Sequence, residues 1–172
     1  VFCYAGELMT LWYNAGEPYR LDPMTLHTGD HFQLRGRTQT RMSAHSKVDW
    51  NTGALLSFHH GDEPPYLTYG VADACGTLLH EVAIDLPGPR LPHDIGFTSQ
   101  YAIVHDLPFF HDMDVLRKHR YRVLTFHRDM PARFGIIPRR GHSGDVRWFD
   151  CEPCYVLHVT NCWEEGDWVV MD

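Results

Sequence analysis

Thirteen histidines stand among the 172 residues, and three of them differ from the rest in their surroundings. His45 lies in Ser43-Ala44-His45-Ser46-Lys47-Val48-Asp49, with small residues before it and a turn after it. His93 lies in Leu91-Pro92-His93-Asp94-Ile95-Gly96-Phe97-Thr98, where the preceding proline stiffens the approach. His158 lies in Tyr155-Val156-Leu157-His158-Val159-Thr160, a run of strand-forming residues that turns polar at Asn161 and breaks at Glu165-Gly166-Asp167. An imidazole at the wet end of an apolar strand can aim one ring nitrogen at a metal ion or a substrate. The plainer reading of any one of them is a ring hydrogen-bonded to its own neighbours. The three are too far apart in sequence to form a local metal motif, so a shared site requires one ligand from each of three separate strands. The other ten, His27, His31, His59, His60, His80, His105, His111, His119, His127 and His142, fall in turns, at strand ends or beside charges, where solvated rings are expected.

The framework that must position these rings reads as all-β. No segment sustains a 3.6-residue period. A hairpin over residues 1–13 turns at Ala5-Gly6, and a weak segment runs to about Leu34. Strands are expected at Met42–Val48, Ala54–His60, Tyr66–Ala72, Leu78–Leu86, His93–Thr98 and Tyr101–Asp106. Residues 107–118 read as irregular, with one helical turn at Asp114–Lys118. Strands resume at Tyr121–His127, Phe134–Pro138, Val146–Phe149, Tyr155–Thr160 and Trp168–Met171. Evenly spaced short strands suit a sandwich, a barrel or a propeller. A turn made of Asp, Gly and a following Leu recurs at Asp49–Leu55 and Asp73–Leu78, which favours successive propeller blades. Strand ends nearest a propeller axis converge on one face, where three rings can meet.

Composition narrows the function classes. A net charge of −7 without a basic run argues against a nucleic-acid partner. No apolar run reaches the length of a membrane span. Five cysteines in no framework spacing suggest reduced thiols and a cytoplasmic setting. Cys151 and Cys154 form a CxxC whose zinc or redox reading is the lesser one, since no second pair follows. The chain opens at Val1-Phe2-Cys3-Tyr4 and closes at Trp168–Asp172 in what read as strands, so a piece of a larger protein is expected.

The segment Ser43–Gly53 resembles the first iron-binding segment of the carotenoid cleavage oxygenase family, and Pro92–Tyr101 resembles its second. Phe134–Arg139, Val146–Phe149 and His158–Asp167 are similar to the run carrying its third, in the family's order. This resemblance implies that residues 1–172 are an incomplete catalytic domain, the early and middle blades of a seven-bladed β-propeller. It implies Fe(II) held by His45, His93 and His158 as metal ligands, with a fourth His beyond Asp172 and no further catalytic residue in this stretch. The implied substrates are an apolar alkene of carotenoid or apocarotenoid type and dioxygen, with the C=C bond split into two carbonyl products. Four neutral imidazoles around an octahedral ion leave two positions open for such chemistry. Membrane contact would come through absent segments, and the 172 residues alone are expected to be inactive.

Two departures bear on the substrate. Tyr13 stands where the family usually has a Glu that orients a ligand, and Leu11-Trp12-Tyr13 lacks the Lys of the lignostilbene-cleaving subgroup. Both shift the expectation from stilbenes toward carotenoids. Glu164 and Glu165 are replacements for that Glu or simply a solvated turn. The alternatives are a stilbene-cleaving dioxygenase, a non-oxidative isomerase, and a degenerate propeller fragment that binds an apolar ligand or partner without catalysis.

Overall fold

The structure, a computed structural model, describes residues 1–12, 16–37 and 40–172. Twelve of its described strands fall into three successive four-stranded antiparallel sheets, the first two of them simple meanders, and the other four form two two-stranded sheets. The first contains β1 (Phe2–Tyr4), β2 (Glu7–Thr10), β3 (Tyr19–Leu21) and β4 (Thr28–His31). Ala5 and Gly6 both adopt positive φ between the paired residues Tyr4 and Glu7, the geometry that a two-residue hairpin loop requires. The weak segment expected before Leu34 is therefore two real strands that complete this sheet.

The second sheet contains β5 (Lys47–Val48), β6 (Leu55–His60), β7 (Leu67–Ala72) and β8 (Leu78–Ile84). Both repeated Asp–Gly turns lie within it, joining β5 to β6 and β7 to β8. In each, the Asp side chain accepts a backbone N–H two residues on, from Asn51 at 3.0 Å and Cys75 at 2.9 Å. Gly53 and Gly76 follow at φ 72° and 84°. The repeat thus belongs to one end of a single sheet, and the expectation that it marks successive blades is corrected. Two hairpins of one meander need the same turn at the same end, so a local device mimicked a longer period.

The third sheet begins with β9 (Gly96–Phe97) and β10 (Tyr101–Asp106). The chain then leaves it for an excursion through β11 (Phe109–His111), helix α1 (Met113–His119) and β12 (Leu124–Phe126). It returns in β13 (Ala132–Pro138) and β14 (Arg147–Cys151), giving the order β14-β13-β10-β9. Within the stretch expected to be irregular, β11 pairs with β12, and the Asp112 carboxylate caps α1 by accepting the Asp114 and Val115 N–H groups. The described chain ends in the hairpin β15 (Cys162–Glu165) and β16 (Trp168–Met171). No described helix is long and apolar enough to cross a membrane.

Tyr155–Thr160, expected as a strand, is irregular. Its residues have strand propensity but no neighbouring strand, so its backbone groups are satisfied singly. Val159 N–H donates to the Asp94 carboxylate at 2.8 Å, and Thr160 N–H to the Asp172 carbonyl at 2.7 Å.

The sheets pack face to face through two apolar clusters. Leu56, Phe58, Leu67, Tyr69, Val71 and Ile84 of the second sheet meet Ala102, Val104 and Ile137 of the third. Tyr4 and Met9 of the first sheet meet Leu55 and Ala72 of the second. Strand β7, buried along its whole length, lies between these clusters. A polar staple adds to them. The Arg139 guanidinium donates to the Thr98 carbonyl at 2.9 and 2.6 Å and to Asp49 Oδ2 at 2.7 Å, joining the third sheet to the turn after β5. Asp49 is almost fully buried, so Arg139→Leu leaves a charge without its main partner. The expected loss is about 3 kcal/mol in denaturant unfolding. Arg117→Ala, which breaks only the exposed pair with Asp114 on α1, is the control and is expected to change nothing measurable.

Candidate metal centre

His45, His93 and His158 come together. Each offers a ligand nitrogen, and these atoms all lie within 4.8 Å of one another. The ring centroids are 4.4 Å apart for His45–His93, 4.9 Å for His45–His158 and 5.3 Å for His93–His158. None of the three is inside a strand, contrary to the sequence expectation. His45 sits in the turn before β5, His93 in the loop before β9, and His158 in the irregular segment before β15. The three positions are equivalent, each shortly ahead of the first strand of a sheet or hairpin. An irregular backbone there can turn a side chain toward a common point, which the alternating faces of a paired strand would not allow.

One carboxylate ties the three segments together. Asp94, 2% exposed, follows His93. Its two oxygens each lie 3.1 Å from Lys47 Nζ, two residues beyond His45. The same carboxylate accepts Val159 N–H, next to His158, at 2.8 Å and Ile95 N–H at 2.7 Å. Lys47 Nζ also donates to the Val159 carbonyl at 3.0 Å. His45 Nδ1 is 3.9 Å from Asp94, beyond hydrogen-bond range but close enough to feel its charge. Charge-assisted bonds of this kind are roughly twice as strong as neutral ones, and burial keeps solvent from screening them. Sequence reasoning passed over both residues. The available signal was a pair of opposite charges beside candidate ligands in otherwise apolar or small-residue segments.

The electrostatics favour neutral rings. Burial pushes His45 below its ordinary value, with His93 and His158 adding to the effect and Asp94 opposing it. Burial and then His158 lower His93. A neutral imidazole keeps a lone pair for a metal, and a cluster of three imidazoles is a donor set that fits a transition-metal cation.

The Glu164 carboxylate is engaged at the β9–β10 turn. The residue lies in β15 rather than in a turn, and its oxygens accept Ser99 Oγ at 3.0 Å, Gln100 N–H at 3.0 Å and Gln100 Nε2 at 2.8 Å. Glu165 pairs with Trp168 across the last hairpin. Tyr13 lies outside the described residues. Gly96 is required where β15 approaches β9, because a Cβ there would come within 2.8 Å of Cys162 Sγ. An open cleft of about 820 Å³ runs along the three ligand-bearing segments and includes Lys47, Ile95, Val159 and Cys162. The larger one, about 990 Å³, lies between the third sheet and the β15–β16 hairpin, away from the histidines.

The whole chain, residues 1–172, matches the family described as retinal pigment epithelial membrane protein, and the chain belongs to that family. It is 34% identical over 173 residues to a carotenoid 9,10(9′,10′)-cleavage dioxygenase 1 of Phaseolus vulgaris, a match spanning 96% of this chain and 31% of that protein. The crystal structure of a Pseudomonas brassicacearum lignostilbene dioxygenase superposes with a TM-score of 0.87 at 28% identity, over 99% of this chain and 36% of the other. A cobalt-substituted Synechocystis apocarotenoid oxygenase superposes with a TM-score of 0.80 at 25% identity, over 99% and 37%. The chain thus spans about a third of the length of these relatives.

His105 was expected to be solvated and is not. It is 1% exposed, on a strand flanked by β9 and β13, and packs edge-on against Phe134 at 5.3 Å. Burial pushes its pKa down to about 4, and burial pushes His59 down to about 4 as well. The unfolded chain takes up these protons near pH 6.5, before the folded one does. Stability is therefore full above pH 6.5 and is lost as pH falls toward 4. The expected result is a falling unfolding free energy between pH 7 and pH 5, with His105→Leu losing about 2 kcal/mol less over that interval. An unchanged pH slope in that variant would show that His105 is not held neutral.

Proposed function

We propose that this chain supplies three of the ligands of a ferrous ion in a non-haem dioxygenase that cleaves a C=C bond of a carotenoid- or apocarotenoid-like substrate. The observation that carries the reading is the convergence of three imidazole nitrogens to within 4.8 Å from segments far apart in sequence. Ligand atoms about 2.1 Å from an octahedral ion lie roughly 3 Å apart when adjacent and roughly 4 Å when opposite, so little movement closes the set. The family resemblance adds a fourth His beyond Asp172 and the seven-bladed closure around it. The cobalt-substituted apocarotenoid oxygenase among the similar structures supports a metal in the related site.

When bound, iron supplies the activation of dioxygen that a side chain cannot. The chain's own residues supply placement. His45, His93 and His158 bring their ring nitrogens to one locus, and burial disfavours protonation of the first two. Asp94 and Lys47 fix the backbone beside each of them, so the ligand positions are set before metal arrives.

A second reading has its own observation. The superposition on the lignostilbene dioxygenase, at a TM-score of 0.87, favours a stilbene-like aryl alkene on the same site. The two are separated by turnover of the complete protein with an apocarotenoid and with a phenolic stilbene, under isotopically labelled dioxygen. Cleavage gives labelled carbonyl products from the apocarotenoid under the first reading and from the stilbene under the second. A product of unchanged mass, isomerised and unlabelled, would contradict both.

His93→Ala is expected to abolish iron retention and turnover while the circular-dichroism spectrum keeps its β signature. His27→Ala, in an exposed turn of the first sheet, should do neither. Asp94→Asn keeps the shape but loses the charge facing Lys47, and iron affinity measured by competition with a chelator should fall about 10- to 100-fold. Equal iron loss in His93→Ala and His27→Ala would contradict the ligand assignment.

A further inference from the structure

Two thiols outside the metal centre lie within reach of one another. Cys151 ends β14 and is exposed, Cys154 is half-buried, and their Sγ atoms are 4.0 Å apart. The Cys151 thiol also donates to the Glu152 carbonyl at 3.4 Å. A disulfide places the sulfurs about 2.05 Å apart, so about 2 Å of approach by side-chain rotation separates the two thiols from a bond. Pro153 between them restricts the backbone and limits how far the pair can separate.

Their place in the fold gives this pair consequences. β14 is one edge of the third sheet and β9 is the other. Residues 152–161 cross between these edges with no ladder of their own, and they carry His158. The crossing is held at isolated points. Tyr155 Oη donates to the Leu91 carbonyl at 3.0 Å, its ring meets Phe109 at 4.8 Å, and Val159 binds Asp94 and Lys47. A covalent link at its origin would shorten the free span that delivers the histidine.

We propose that Cys151 and Cys154 form a reversible thiol–disulfide site, oxidised by a low-molecular-weight disulfide of the glutathione type, and that closing it stiffens the crossover leading to His158. The Cys151 thiolate attacks one sulfur of the oxidant, breaking its S–S bond and releasing one small thiolate. The Cys154 thiolate then attacks the Cys151 sulfur, forming the internal bond and releasing the second. Two electrons pass from the cysteine pair to the oxidant, and the two cysteine protons end on the released thiols. Burial raises the Cys154 pKa, which suits the exposed Cys151 to meeting the oxidant and Cys154 to resolving the adduct. An exposed bond in a short loop is of the reducible kind.

The test needs no metal, so its outcome is independent of the iron reading. The purified metal-free protein is equilibrated with buffers of rising oxidised-to-reduced glutathione ratio, its thiols are blocked, and peptides are mapped by mass. A Cys151–Cys154 peptide lighter by about 2 Da, restored by dithiothreitol, is expected, while Cys154→Ser stops at a glutathione adduct on Cys151. Hydrogen exchange of amides 154–161 should slow at least about threefold in the oxidised form. A pair that stays reduced at the most oxidising ratio, a persistent glutathione adduct on wild-type Cys151, or exchange unchanged by oxidation would each overturn the proposal.

Discussion

The arrangement depends on a buried carboxylate with every acceptor position in use. Asp94 receives the Lys47 ammonium on both oxygens, its own following N–H on one and Val159 N–H on the other. Each partner adjoins a different candidate ligand, so one group couples three loops that no sheet hydrogen bonds connect. A buried carboxylate is costly unless it is paired and hydrogen-bonded, and Asp94 is both. That cost also makes it specific, because a slipped segment would leave a charge or an N–H without a partner.

The sheets provide the rigid side of this arrangement. The second and third sheets meet through packed Leu, Ile, Val and aromatic side chains, and Arg139 links the turn at Asp49 to Thr98 across the same boundary. The first strands of these two sheets, β5 and β9, are only two residues long, so the segments ahead of them are irregular where they carry His45 and His93. Rigid sheets with short irregular lead-ins suit a site that must gather ligands from several directions. The division also explains where regularity fails. Tyr155–Thr160 has the residues of a strand, yet its backbone bonds to Asp94, Lys47 and Asp172.

Much of this was legible in the residues. Alternating apolar patterns and breakers located most strands of the second and third sheets, and Ala5-Gly6 gave the first hairpin. The three histidines stood out because each sat among small, apolar or stiffening neighbours. What was hidden is tertiary. Asp94 and Lys47 look like ordinary charges until the fold brings them within 3.1 Å. His105 looks like a strand-end residue until β13 and Phe134 cover it. The Asp–Gly turns were correctly seen as a repeat and assigned to the wrong scale, because sequence spacing does not distinguish two hairpins of one sheet from two sheets.

The most direct measurement is anomalous diffraction at the iron absorption edge from crystals of the iron-loaded protein. One peak is expected, within about 2.1 Å of a ring nitrogen from each of His45, His93 and His158. A peak bound elsewhere, or those three rings turned away from a common point while iron is retained, would contradict the shared site.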